Sequence, residues 1–322
     1  HQCTLWIQPS RMYFKTPTPK YDMIMLRLSH SLLCSIGLAP WRVSCGIRRG
    51  ELFLSISRSR FLIIYNMILV MILIFLTRLG RSSVPFSRKG YEIVAWLQFL
   101  LGIIANIVSM SIIALRCASQ QQVIESTAQL ENVHKKYIKL VSDECQLTAY
   151  RRFQRFKLIG LFLIIWLSVH TLLYIHFPAA YYRDQFFVGL IFNCTILDYV
   201  SKVMLLKDTM IGVNDKLRDS LDFTKSMGAL SAMADKLTNI REIHSGMGKL
   251  AKYINDFYSL PILMIVVVSC GDAVQKASWS TIAVGGGDFR ITFEMCLDMI
   301  SITLFLTPLL ILGRTIENFH QE

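Results

Sequence analysis

The sequence predicts an all-α polytopic membrane protein, and three observations support that fold class. Of the 322 residues, 53% are hydrophobic and only 17% are charged, whereas soluble domains are nearer to one quarter charged. The apolar residues are concentrated in runs of about 20, the length that a helix needs to cross the hydrocarbon core of a bilayer. Residues 103–159 contain neither Gly nor Pro, so helices are expected to extend well beyond the membrane.

Six apolar runs are long enough to be membrane spans. Because six is an even number, both ends of the chain are expected on the same side of the membrane. The first run is preceded by a polar segment without the short apolar core and small-residue cleavage site of a secretory signal peptide. The predicted spans are 61–79, 91–115, 158–177, 186–206, 257–274 and 291–313.

The distribution of basic residues predicts the orientation of these spans. If the N-terminus is cytoplasmic, the inner segments hold 26 Lys and Arg residues and the outer segments hold 7. Cytoplasmic loops of membrane proteins carry such an excess, so the N-terminus is predicted to be cytoplasmic. The net charge of +12 is therefore attributed to topology and to contact with anionic membrane lipid, not to nucleic acid.

Four segments are expected to form the domains of the chain. Residues 1–60 form a cytoplasmic N-terminal segment, and residues 61–206 contain spans one to four. A cytoplasmic helical hairpin is expected at 116–157, between the second and third spans. Residues 207–256 form cytoplasmic anchor helices, and residues 257–322 contain spans five and six.

A heptad pattern of more than three repeats leads into the fifth span. Residues spaced alternately three and four positions apart predict one helix face that packs against other helices. A histidine within this pattern is expected to be packed and hydrogen-bonded, with a pH switch as the alternative. The pattern comprises Leu230, Met233, Leu237, Ile240, His244, Met247, Ala251 and Ile254.

The motifs of enzymes and metal sites are not found in the sequence. It contains no Walker loop, nucleophile elbow or HExxH helix, so we expect no enzymatic activity. The eight cysteines form no CxxC pair, which disfavours zinc, and no cofactor is expected.

Polar and aromatic side chains inside the predicted spans are the candidate ligand-binding residues. The third-span residues share one helix face and are interpreted either as packing or as a pocket wall. The sixth-span acids share a face near the outer surface, where they bind ligand, attract cations or are simply solvated. The candidates are Trp166, His170, Tyr174, Asn193, Glu294 and Asp298.

Three further polar residues of the spans have structural interpretations. Asp198 and Lys202 lie one turn apart and are expected to form an ion pair within one helix. Asn106 is expected to bond a neighbouring helix.

Two stretches of the sequence resemble a known family. The stretch IREIHSGMGKLAKYINDFYSLPIL (240–263) is similar to the signature that precedes the late spans of insect gustatory receptors. The N-terminal stretches SIGLAPW (35–41) and FLSISRSR (53–60) resemble the family's segment before the first span. The chain is thereby identified as a member of the insect chemoreceptor superfamily with an inverted seven-span fold.

The resemblance implies a taste receptor that is a tastant-gated, non-selective cation channel in the plasma membrane. Its subunits are expected to form homo- or heterotetramers held by the cytoplasmic anchor, with the last span lining the pore. The family's last span carries Thr-Tyr, five mostly apolar residues and then Gln-Phe, and this string is not found in the sequence. Six of seven spans are therefore expected, and this chain alone is expected not to conduct.

Two other functions remain open from the sequence. A solute transporter is compatible with an even number of spans, although many transporters contain internal repeats that are not apparent here. An insect odorant receptor of the same superfamily has the same topology.

Overall fold

In the computed structural model most of the described residues are helical, and one small sheet lies near the N-terminus. The helices, strands, contacts and counts of the fold are those of the described residues. These are residues 10–14, 19–48, 51–81, 92–140, 162, 164–172, 175, 180–227, 230–284, 299–300, 302–303, 306–314 and 316–317.

The N-terminal part contains a three-stranded antiparallel sheet that the sequence analysis did not predict. Strands β1 (Ser10–Phe14), β2 (Trp41–Arg48) and β3 (Glu51–Arg58) have the order β1-β3-β2. Apolar residues alternate along β2 and β3, and the register places them opposite each other. The aligned pairs are Val43 with Ile56, Cys45 with Leu54 and Ile47 with Leu52.

Helix α1 (Pro19–Ser35) lies between β1 and β2 and ends in a Schellman motif. The Leu38 amide donates to the Leu33 carbonyl at 2.8 Å, and the Gly37 amide donates to the Cys34 carbonyl at 3.0 Å. Gly37 has a φ of 80°, which L-residues with a Cβ adopt only at a cost. This motif explains the Gly in the SIGLAPW stretch, because it reverses the chain from α1 toward β2.

Five longer helices follow the sheet. They are α2 (Arg60–Arg81), α3 (Glu92–Ala118), α4 (Gln120–Leu140), α5 (Ala180–Met227) and α6 (Leu230–Val284). At about 1.5 Å per residue, α5 and α6 each exceed 70 Å, more than twice the hydrocarbon thickness. The predicted all-α polytopic fold class is confirmed, with the N-terminal sheet as an addition to it.

Three of the described helical stretches are long and apolar enough to cross a membrane: Trp96–Ala118, Phe186–Arg218 and Leu237–Gln275. They correspond to the predicted spans two, four and five. The first predicted span coincides with a shorter apolar helix, Arg60–Phe75. Predicted spans three and six are described in part, with 9 of 20 and 11 of 23 residues lying outside the described part of the chain.

The chain divides into two compact units. Unit 1 comprises 1–63, 116–155 and 202–255, and unit 2 comprises 64–115, 156–201 and 256–322. The boundaries lie close to those of the segments predicted to be cytoplasmic, while the side of the membrane on which each unit lies stays a prediction.

Within unit 1, glycines allow α4 to approach the two longest helices closely. A Cβ at Gly212 of α5 would clash with the hydroxyl of Tyr137. A Cβ at Gly246 of α6 would lie 2.6 Å from a methyl carbon of Val133, well inside van der Waals contact. Lys136 of α4 also forms an ion pair with Glu242 of α6.

The buried stripe of α6 differs from the predicted heptad face at two positions. Ile240, Met247 and Ile254 are buried as expected. His244 is exposed, so its interpretation as a packed histidine is wrong, and Ile243 beside it is fully buried instead. Leu250 likewise replaces Ala251 in the stripe. Ile and Leu bury more apolar surface than an imidazole or a methyl group, which favours this rotation of the face.

Candidate ligand-binding site

Two of the predicted third-span residues, Trp166 and His170, form a stacked pair in the helical segment 164–172. Their ring centroids are 4.0 Å apart and the ring planes are inclined by 24°. Nδ1 of His170 donates to the Trp166 carbonyl oxygen at 2.9 Å, which fixes the imidazole on that face. Trp166 is 0% exposed. The interpretation as one shared aromatic face is therefore supported for these two residues.

Phe186, which the sequence analysis did not single out, completes the described aromatic cluster from the start of α5. Its ring centroid lies 5.6 Å from that of Trp166 and 6.5 Å from that of His170. Phe187 packs edge-on against Phe186 at 5.6 Å. Aromatic pairs at these separations contribute attraction beyond their buried area. We call Trp166, His170 and Phe186 the aromatic cluster.

Asn193 lies two turns after Phe186 on α5, so the two residues share a helix face. Its Nδ2 donates to the Gly189 carbonyl at 3.0 Å, within its own helix. Its Oδ1 is buried and has no hydrogen-bond partner in the described structure. The same is true of Nε1 of Trp166. One acceptor and one donor in unit 2 are thus buried and unpaired.

Unpaired polar atoms of this kind are costly inside a protein. Each one lowers the free energy of unfolding by about 1–3 kcal/mol unless a water or another polar group forms a hydrogen bond with it. An interior that keeps both an unpaired N–H and an unpaired carbonyl oxygen suits a partner with hydroxyl or amide groups, because such groups donate and accept.

The other three predicted site residues cannot be assigned to this cluster. Tyr174, Glu294 and Asp298 lie outside the described residues. Within the described part of the chain, no group of three or more His, Cys, Asp or Glu side chains is placed to hold a metal ion.

Two further polar residues of the spans have partners that the sequence analysis did not predict. Asn106 donates to the Gly102 carbonyl of its own helix at 3.0 Å, so its expected bond to a neighbouring helix is not the one found. The Tyr258 hydroxyl donates to Oδ2 of Asp198, joining α6 to α5. The predicted pairing of Asp198 with Lys202 stays a prediction.

Comparison with known proteins assigns the chain to a family. The family model of the 7tm chemosensory receptors matches residues 26–272, well over half of the chain. The matched part includes Trp166, His170 and Asn193. Comparison with curated proteins gives no match. Chemosensory receptors are membrane receptors for small molecules and are not an enzyme family. This chain belongs to the 7tm chemosensory receptor family.

Proposed function

We propose that this chain is a gustatory receptor subunit in which binding of a tastant opens a non-selective cation channel. The family assignment supports a chemoreceptor, and the resemblance of residues 240–263 to the gustatory signature supports taste. The observation that carries the proposal is the aromatic cluster, in which Nε1 of Trp166 is buried and unpaired, together with the buried, unpaired Oδ1 of Asn193 two turns after Phe186 on α5. Such a mixture of ring faces and a few oriented polar groups is typical of small-molecule sites.

The ligand is a neutral molecule that combines a flat apolar face with hydroxyl or amide groups. The described cluster contains no Asp, Glu, Lys or Arg, so it offers no fixed counter-charge to an ionic ligand. Nε1 of Trp166 donates to the ligand and Oδ1 of Asn193 accepts from it. Tyr174, Glu294 and Asp298 are proposed to extend this polar set from the outer ends of their helices.

The assembly is proposed to be a homo- or heterotetramer in the plasma membrane. The N-terminus is cytoplasmic, and the segments 1–60, 116–157 and 207–256 lie on the same side. Helices from 207–256 hold the subunits together, and anionic lipid contacts the basic cytoplasmic face. The 26-to-7 split of Lys and Arg supports this orientation.

Currents from cells that express the receptor test the ligand proposal. Neutral sugars and polyols, quaternary ammonium salts and organic acids are applied in turn. We expect responses in the neutral group, and half-maximal concentrations raised about tenfold in His170→Ala and Phe186→Ala, the loss of about 1.4 kcal/mol of binding. Asp298→Asn tests the proposed acidic extension in the same assay.

Ile164→Ala is the matched control, because Ile164 is in the same helical segment but its side chain is exposed. Responses confined to charged compounds would contradict the neutral ligand. Unchanged dose–response curves in both aromatic variants, with normal surface expression, would remove the cluster from the site.

Labelling of Cys145 tests the orientation independently of any ligand. Cys145 lies in the predicted cytoplasmic hairpin, outside the described residues. An impermeant thiol reagent added to intact cells is expected to leave it unmodified until the cells are permeabilised. Modification from outside would reverse the proposed topology.

A further inference from the structure

The boundary between α3 and α4 is a break in a helix that the local sequence does not require. α3 ends at Ala118 and α4 begins at Gln120, with Ser119 in a turn between them. Neither Gly nor Pro occurs anywhere in 103–159, and the surrounding residues are compatible with a continuous helix.

Ser119 can cap α4, because its carbonyl accepts from the Val123 amide at 3.1 Å and Gln122 lies at the capping-box spacing. A serine is also tolerated inside a helix, so the contacts around Ser119 decide between a break and a continuous helix.

Three successive carbonyl groups of the loop 36–41 each accept a hydrogen bond from a different helix. The Leu38 carbonyl accepts from Nη1 of Arg116 at 2.9 Å, and the Pro40 carbonyl accepts from Nε2 of Gln120. The Ala39 carbonyl between them accepts from the thiol of Cys34 at 3.3 Å. The loop thus binds α1, the end of α3 and the start of α4 at once.

The two donors on the α3–α4 side flank the break. Arg116 and Gln120 are four residues apart, on either side of Ser119, and are 2% and 0% exposed. Loop residues 36–41 are buried too, so these bonds are formed away from water. Bonds from a charged donor to a buried carbonyl are among the stronger ones in proteins. The bonds from Arg116 and Gln120 to the loop can therefore offset the loss of the one or two backbone hydrogen bonds that a helix loses at a turn.

The position of the break is also distinctive along the chain. The chain passes from unit 2 to unit 1 between Leu115 and Arg116. α3 crosses this boundary and ends three residues later, whereas α2, α5 and α6 continue for at least 18 residues past theirs. In the described part of the chain, the transition at Arg116 is followed by a break within four residues, and the loop 36–41 is bound there.

We propose that the loop 36–41 imposes this break by holding Arg116 and Gln120, and that residues 116–120 act as an elbow between the second span and the cytoplasmic helix α4. Arg116 and Gln120 are positioning residues for the elbow. When the loop is bound, α3 and α4 are two helices; when it is released, they join into one. The N-terminal sheet domain thereby controls how the second span continues below the membrane.

Amide hydrogen exchange of the full chain in lipid nanodiscs tests the elbow. Gln120→Met removes the donor to Pro40 and keeps a side chain of similar length with good helix propensity. We expect exchange in a peptide covering 116–124 to slow by about tenfold as the helices join, and exchange in 36–41 to rise by a similar factor. Arg116→Met is the second variant and is expected to change both peptides in the same directions.

Gln121→Met is the matched control, because Gln121 is exposed and its amide bonds to Glu125 rather than to the loop. Faster exchange in 36–41 without slowing in 116–124 would show that the break does not depend on the loop and would overturn the proposal. Unchanged exchange in 36–41 would show that the loop is not held by these residues, with the same consequence. A monodisperse chromatographic profile of each variant distinguishes these results from unfolding.

Discussion

The elbow in unit 1 and the aromatic cluster in unit 2 bury polar side chains in opposite ways. At the elbow, Arg116 and Gln120 donate to backbone carbonyls of a buried loop, although the amide oxygen of Gln120 stays unpaired. Nε1 of Trp166 in the cluster, and Oδ1 of Asn193 two turns further along α5 than Phe186, have no partner in the described structure. Paired buried groups stabilise one conformation, whereas unpaired ones reduce stability until something else binds to them. The difference is consistent with a structural role for the elbow residues and with the proposed role of the cluster in recognition.

The largest change in the free energy of unfolding is expected for a substitution at the elbow. Arg116→Met removes a charged donor from a buried carbonyl, and the free energy of unfolding should fall by about 2–3 kcal/mol. The measurement is the thermal loss of the monodisperse peak in detergent. Arg241→Met, at an exposed position of α6, is the control and should change stability by less than about 0.5 kcal/mol. Equal effects in the two variants would mean that the Leu38 carbonyl is not a specific partner of Arg116.

A smaller effect is expected where Tyr258 joins α6 to α5. Tyr258→Phe keeps the ring, which packs 5.2 Å from the ring of Tyr199, and removes only the hydroxyl that donates to Asp198. The loss should be about 1–2 kcal/mol. Asp198→Asn keeps an acceptor oxygen and should cost less. In the double variant the two losses should not add, because Tyr258→Phe already removes the bond that Asp198→Asn only weakens. Additive losses would show that the two side chains act independently.

At Asn193 the change in the free energy of unfolding is expected to have the opposite sign. Asn193→Leu replaces a buried unpaired acceptor with an apolar side chain of similar size, so stability should be unchanged or rise by up to about 1 kcal/mol. The half-maximal concentration of an activating neutral ligand should nevertheless rise about tenfold, the loss of about 1.4 kcal/mol. A loss of stability comparable to that of Arg116→Met would show that Asn193 is a structural residue, and the contrast between the two regions would disappear.

Much of the fold could be predicted because the membrane limits the choices. Long apolar runs predicted helices, and three of them coincide with described helices long enough to be spans. The N-terminal sheet was missed although its signal is present: Val43, Cys45 and Ile47 alternate with polar residues, as do Leu52, Leu54 and Ile56 in part. These alternating stretches are short and lie beside apolar runs of about 20 residues, so the period of 2 is the weaker signal in the sequence.

The elbow and the cluster could be predicted only in part, because both depend on contacts between distant residues. The spacing of Trp166 and His170 indicated a shared face, but nothing in the sequence brings Phe186 to it. Locally the break at Ser119 has only a capping signal, and the loop 36–41 that we propose imposes it lies more than 70 residues earlier. The exposure of His244 likewise follows from competition with Ile243 for one buried position, which heptad spacing alone does not resolve.

The smallest expected effect concerns the other side of the loop, where His30 holds β2 against α1. Nε2 of His30 accepts from the Val43 amide at 3.3 Å, so this nitrogen must be unprotonated for the bond to exist. Burial lowers the pKa of His30 below its ordinary value of 6.5. The unfolded chain therefore binds a proton at a higher pH than the folded one. The contribution of this bond is present above pH 6.5 and is lost as the pH falls from 6.5 through the lowered native pKa.

Hydrogen exchange at the start of β2 measures this loss. Between about pH 7 and about pH 5, the protection of the Val43 amide, corrected for the intrinsic pH dependence of exchange, should fall. Protection in β3, whose central position in the sheet does not depend on His30, is the internal reference. In His30→Gln the side-chain oxygen can still accept from Val43 and does not titrate, so the pH dependence should vanish. If the pH dependence of Val43 protection persists in His30→Gln, a group other than His30 is responsible for it.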